Sequence, residues 1–129
     1  MKSRNTLQKD LVLSAVKMLC HPTADEVYTH IAAGHPAISR GTVYRNLNLL
    51  VDSGKLRKVL VPDAADRFDV TLERHYHIRC RVCGTVDDIA LPYQDDLIAR
   101  IPDTGGFLVE GHDIMLIGIC PACCSHSPA

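Results

Sequence analysis

No stretch of the 129-residue sequence approaches the roughly 18 uninterrupted apolar residues of a membrane span. The polar opening, Met1 to Lys9, lacks the apolar core of a secretory signal. Both absences argue against a membrane or secreted protein, and the expected location is the cytoplasm. Net charge is almost lacking too, at −1, so the chain as a whole has no pull toward a polyanion. The distribution of charge is more telling. Residues 1–61 carry nine Lys or Arg against four Asp or Glu, whereas residues 62–129 carry five against eleven. A basic half suits DNA, and an acidic half rich in His and Cys suits cations. The expected division is a DNA-binding domain over residues 1–70 and a metal-binding domain over 71–129.

The basic half reads as three helices and a hairpin. Leu7, Leu11, Val12, Ala15, Val16 and Leu19 recur at helical spacing, and Pro22 stops the run. Thr23-Ala24-Asp25-Glu26 is a capping box, since the Thr hydroxyl and the Glu carboxylate can each serve the other's backbone N–H. Ser39 is the expected N-cap of a third helix that runs to about Asp52 and stops at Gly54. Leu56–Val61 and Arg67–Val70, separated by Pro62-Asp63-Ala64-Ala65, form the strands of a wing. This is a winged helix-turn-helix, whose third helix suits the major groove of double-stranded DNA. Its candidate DNA contacts are Arg40, Gly41, Thr42, Tyr44 and Arg45, joined by Lys58 from the wing. Arg45 is the candidate for reading guanine, while Arg40 and Lys58 are placed to position phosphates.

Six cysteines are present, and without a signal segment they point away from disulfides. Cys80-Arg81-Val82-Cys83 is followed, after 36 intervening residues, by Cys120-Pro121-Ala122-Cys123. Two such knuckles offer four thiolates to one Zn(II), a closed tetrahedron with a structural role. A thiol-redox switch is the competing reading of the same pairs. Of the two other cysteines, Cys20 reads as a small buried residue at the end of the first helix.

His75-Tyr76-His77 precedes the first knuckle in a segment that reads as a strand, so both imidazoles face one way, about 7 Å apart along the backbone. Asp69 and one of Asp87 or Asp88 are the nearby carboxylates. Alternation gives only one of the latter pair to the histidine face and does not choose between them. Imidazole and carboxylate donors without thiolate suit Fe(II), Mn(II) or Zn(II).

The landmarks His21-Pro22-Thr23-Ala24-Asp25-Glu26-Val27-Tyr28, Gly41-Thr42-Val43-Tyr44-Arg45-Asn46-Leu47, Asp66-Arg67-Phe68-Asp69, His75-Tyr76-His77-Ile78-Arg79-Cys80 with Cys83-Gly84, and Gly118-Ile119-Cys120 with Cys123 occur in one order. In them the chain resembles the ferric uptake regulator family, most closely its peroxide-sensing branch. The resemblance implies an α+β fold and a homodimer. The N-terminal winged helices would bind a pseudo-palindromic operator, and the C-terminal halves would dimerise through their sheets. Helix Tyr93–Ile101 and strands Phe107–Glu110 and Ile114–Ile119 are expected in that second half.

The resemblance also implies a regulatory site of His21, Asp69, His75, His77 and Asp88. It thereby adds His21 and selects Asp88, neither of which follows from spacing alone. Aspartate at the last position implies peroxide sensing through Fe(II), with His21 or His75 oxidised and DNA released, while Mn(II) would hold the same set without that chemistry. No turnover is implied, so the expected role is a repressor and not an enzyme. An iron- or zinc-responsive repressor of metal uptake is the alternative within the family. Members of the iron-uptake type often build another metal site beside the His-x-His motif. Here Arg74 and Tyr76 occupy those places, leaving His112 and Asp95 as its possible remnants.

Overall fold

The computed structural model describes residues 3–126, with side chains described through Cys124. It divides into two compact units, Met1–Glu73 and Arg74–Ala129. The division falls after Glu73, slightly later than the boundary after residue 70 that the sequence suggests.

The first unit runs α1 (Arg4–Met18), α2 (Ala24–Gly34), α3 (Arg40–Asp52), β1 (Arg57–Val59) and β2 (Arg67–Asp69). Each helix starts on a hydroxyl cap. Ser3, Thr23 and Ser39 accept from the backbone N–H three residues on, and the Thr23–Glu26 capping box is complete in both directions. Gly54, at φ +77°, lets the chain turn out of α3 in a left-handed conformation that a side chain would resist. Val12, Ala15 and Val16 of α1 pack with Val27 and Ile31 of α2, Val43, Leu47 and Leu50 of α3, and Leu56 and Phe68 of the wing. Burial of this one cluster fixes the helix triplet, and β1 pairs antiparallel with β2 against it.

Two expectations about α1 need correction. Leu7 is half exposed and lies outside the core, because the buried stripe begins a turn later, at Val12. Cys20 is exposed. The helix ends at Met18 and Leu19 is already extended, so Cys20 falls in a bend that has left the helical stripe.

The second unit is a three-stranded sheet of order β4-β3-β5: β3 (Tyr76–Cys80), β4 (Val86–Ile89) and β5 (Met115–Gly118). β4 runs antiparallel to β3 and β5 parallel to it. Central β3 carries the most buried positions, including Tyr76, His77 and Cys80. A short helix, α4 (Pro121–His126), follows the second cysteine knuckle, with Pro121 at its first position, where a missing N–H costs nothing. The sequence alone suggests a plain turn there.

The expected helix Tyr93–Ile101 is reduced to a single 3-10 turn, Ile98–Arg100. Pro102 holds Ile101 extended and so ends the turn, and a segment this short does not propagate into a helix without a buried face. The expected strand Phe107–Glu110 does not form. The three described strands of this sheet pair only with one another, and a segment without a hydrogen-bonding neighbour is not a strand, whatever its side chains prefer. Phe107 and Leu108 stand 77% and 86% exposed there.

Candidate metal centres and nucleic-acid face

The sulfurs of Cys80, Cys83, Cys120 and Cys123 lie within 4.8 Å of one another. Gly84, at φ +80°, folds the first knuckle back so that its N–H meets the Cys80 carbonyl at 2.9 Å. The Cys80 sulfur then accepts from the backbone N–H of Cys120 at 3.3 Å, Val82 at 3.4 Å and Cys83 at 3.5 Å. Cys83 and Cys120 sulfurs are 3.7 Å apart, close to the edge of about 3.8 Å that a zinc–thiolate tetrahedron demands. The N–H groups of Cys83 and then Cys120 pull the Cys80 thiol down to about 5. The neighbouring sulfur of Cys120, with burial, pushes Cys123 up to about 12. Four sulfurs this close ionise together only when a cation balances them. The donor set fits Zn(II) as a closed structural site.

In the second unit, backbone register decides between the two aspartates. His77 lies directly opposite Asp88 across β3 and β4, and Asp87 lies opposite Ile78. Asp88 therefore shares the histidine face and Asp87 the other. One Asp88 oxygen stands 2.9 Å from His75 Nε2 and 3.5 Å from His77 Nε2, and the two rings are 4.4 Å apart. Three nitrogen and oxygen donors thus converge, with no sulfur among them.

The first unit holds another pair. Thr23 bridges Arg67 antiparallel to β2, and the Pro22 carbonyl accepts from Phe68 N–H at 2.9 Å. Continuing that register sets His21 across from Asp69, and His21 Nε2 meets Asp69 Oδ2 at 3.3 Å. Both side chains are buried. The other Asp69 oxygen accepts from Thr71 N–H at 2.9 Å, which fixes the carboxylate's direction. These pairings explain why the residues alone did not reveal His21: its partner Asp69 lies on a strand 48 positions further along the chain.

Neither His112 nor Asp95 belongs to any cluster of three or more metal-donor residues among the described ones. His112 Nε2 is taken instead by the Tyr76 hydroxyl at 2.5 Å. The same hydroxyl accepts from Gln94 N–H at 2.9 Å, and Tyr93 stacks on His112 with ring centroids 4.7 Å apart.

The candidate DNA contacts lie on two elements of the first unit. Arg40, Gly41, Thr42, Tyr44 and Arg45 occupy the first two turns of α3, and Lys58 sits on β1. Arg45 and Lys58 are exposed. Thr42 is engaged in the cap, its hydroxyl 2.8 Å from that of Ser39. Arg40 and Tyr44 both donate to the Asp25 carboxylate, and the Arg40 guanidinium lies 4.5 Å from the centre of the Tyr28 ring. A groove of about 430 Å³, lined by Arg4, Lys9, Thr42 and Arg45 among others, runs beside α1 and α3.

The sequence model of the ferric uptake regulator family matches residues 2–117. The chain belongs to that family. Among its relatives, the peroxide operon regulator of Bacillus subtilis is 34% identical over 121 residues, 93% of this chain and 83% of that one. The peroxide-responsive repressor of Staphylococcus epidermidis is 35% identical over 103 residues, covering 80% and 69% of the two chains. The solved structure of the Campylobacter jejuni peroxide stress regulator superposes with a TM-score of 0.74 at 31% identity, over 93% of this chain and 91% of that one. The α+β architecture is thus that of the ferric uptake regulators, and the chain is a metal-responsive repressor of this kind. The four-sulfur set fits structural Zn(II), and the imidazole and carboxylate donors fit a regulatory Fe(II) or Mn(II). No helix among the described residues is long and apolar enough to cross a membrane.

Proposed function

We propose that this chain is a peroxide-sensing repressor that binds a pseudo-palindromic, double-stranded operator as a homodimer in the cytoplasm. His21 and Asp69 from the first unit, with His75, His77 and Asp88 from the second, together hold one Fe(II) or Mn(II). The observation that carries the reading is the orientation of Asp88, whose single oxygen lies between two imidazole nitrogens while Asp87 faces away. A mixed nitrogen and oxygen set of this kind holds a divalent ion less tightly than four thiolates do, and that suits a ligand that must be exchanged.

Three parts of the chain then divide the work. The four-cysteine centre braces the second unit whatever the regulatory ion does. The five-residue set links the reading unit to that base, so its occupancy biases the pose in which two winged helices meet the duplex. Arg45 reads a base, while Arg40 and Lys58 set position on phosphates, with Gly41, Thr42 and Tyr44 completing the approach of α3. A bound Fe(II) would supply one-electron reduction of peroxide, with peroxide itself the oxidant and the source of the oxygen that His21 or His75 would gain. An oxidised imidazole is a poor donor, so the five-residue set is broken and the operator released. Each event consumes its own sensor, which is regulation without enzymatic turnover.

The test is operator binding by fluorescence anisotropy with Mn(II), after chelation, and with Fe(II) followed by peroxide. The expected sequence is tight, weak, and irreversibly weak, the last accompanied by one added oxygen on a peptide containing His21 or His75. Peroxide-resistant binding that collapses on metal starvation would favour an iron- or zinc-responsive repressor instead. Disulfide formation before any histidine change would favour a thiol switch.

A further inference from the structure

His21 has an uncommon backbone. Its φ is +48°, in the left-handed region, and it precedes Pro22, whose ring pushes the residue before it toward extended conformations. Such a conformation persists only where the surroundings impose it. Arg67 is the residue that grips this point. Its guanidinium donates to the His21 carbonyl at 2.9 Å and also approaches Glu26 Oε1 at 3.5 Å. Glu26 accepts in turn from the N–H and hydroxyl of Thr23, at 3.2 and 3.1 Å. The Arg67 side chain is only 19% exposed. Both contacts are made by Nη1, whose two N–H groups are fixed in the guanidinium plane, whereas the N–H groups of an ammonium turn freely on a flexible stem.

We infer that Arg67 is a positioning residue for the metal ligand His21. By fixing the His21 carbonyl against the head of α2, it imposes the left-handed backbone that sends the imidazole toward Asp69. The inference rests on the reading of His21 as a ligand. It adds a residue that touches no ion and yet sets the affinity of the site, as hydrogen-bond partners behind metal ligands do.

The test is Mn(II) affinity of the full-length protein, by competition with a fluorescent chelator, for Arg67→Met, Arg67→Lys, His21→Ala and the double variant Arg67→Met/His21→Ala. Zinc content and far-UV circular dichroism identify any variant that has lost its fold. Arg67→Met should bind Mn(II) about 10- to 100-fold more weakly, and Arg67→Lys should fall between it and the parent. The double variant should be no weaker than His21→Ala alone, because Arg67 acts through His21. A folded Arg67→Met or Arg67→Lys protein with parental Mn(II) affinity overturns the inference while leaving the ligand reading intact. So does an Arg67→Met substitution that weakens the His21→Ala background by its full factor. Parental affinity in His21→Ala itself overturns the ligand reading, and the inference with it.

Discussion

His77 and Asp88 face each other across adjacent strands, and the carboxylate of Asp88 also reaches His75, while its neighbour Asp87 pairs with Ile78 on the opposite side of the sheet. The two aspartates therefore make a matched pair of experiments. Asp88→Ala should lower Mn(II) affinity at least tenfold and abolish metal-dependent operator binding. Asp87→Ala should leave both close to the parent. Equal effects in a metal titration would mean that register does not select the ligand.

Asp88→Glu tests the signal rather than the site. The longer carboxylate still faces the imidazoles, so Mn(II) should go on supporting operator binding. Peroxide sensitivity with Fe(II) should drop. Unchanged histidine oxidation, followed by mass spectrometry, would remove the reason for choosing peroxide over metal level.

The four-cysteine centre should behave as folding energy. Cys80 is the buried member and takes three backbone N–H groups, so Cys80→Ser should lose zinc and unfold the second unit. Circular dichroism and zinc content should fall together, since structural zinc and fold are linked. Cys124→Ser should leave both unchanged, because Cys124 is exposed and stands outside the four-sulfur cluster.

Tyr76 predicts a purely structural effect. Its buried hydroxyl bridges Gln94 N–H and His112 Nε2, and Tyr76→Phe leaves both partners without it. A loss of about 1–3 kcal/mol is expected, seen as a lowered melting temperature. Metal stoichiometry by elemental analysis should stay at one zinc and one regulatory ion per chain in Tyr76→Phe and in His112→Ala alike.

DNA contacts separate by salt dependence. Arg45→Ala should relax preference at one base position, at a cost of about 1–3 kcal/mol for the best site. Lys58→Ala should weaken all sequences alike and flatten the dependence of log K on log salt by about one unit. Operator titrations at several salt concentrations distinguish the two.

The first unit was legible because its signals are local. The Thr23–Glu26 box, the Ser39 cap and the Gly54 stop each depend on residues within four positions, and each formed as spaced. The cysteine knuckles were legible for the same reason. His21 was not, because its contact with Asp69 comes from pairing with β2 far along the chain. The choice of Asp88 over Asp87 waited on a strand register that alternation alone does not fix. Helix Tyr93–Ile101 and strand Phe107–Glu110 failed for a different cause: side-chain preference without a packed face or a hydrogen-bonding neighbour does not make an element. Helix α4 is too short to leave a periodic trace.

The wing ladder has three rungs, Arg57 to Asp69, Lys58 to Phe68 and Val59 to Arg67. Asp69, Lys58 and Arg67 are thus stitched into a single small ribbon. Under the proposed function, a shift of the oxygen donor Asp69 would reach Lys58, one rung away, through the main chain of this ribbon. The residues proposed to sense and to read would then share one short stretch of paired main chain.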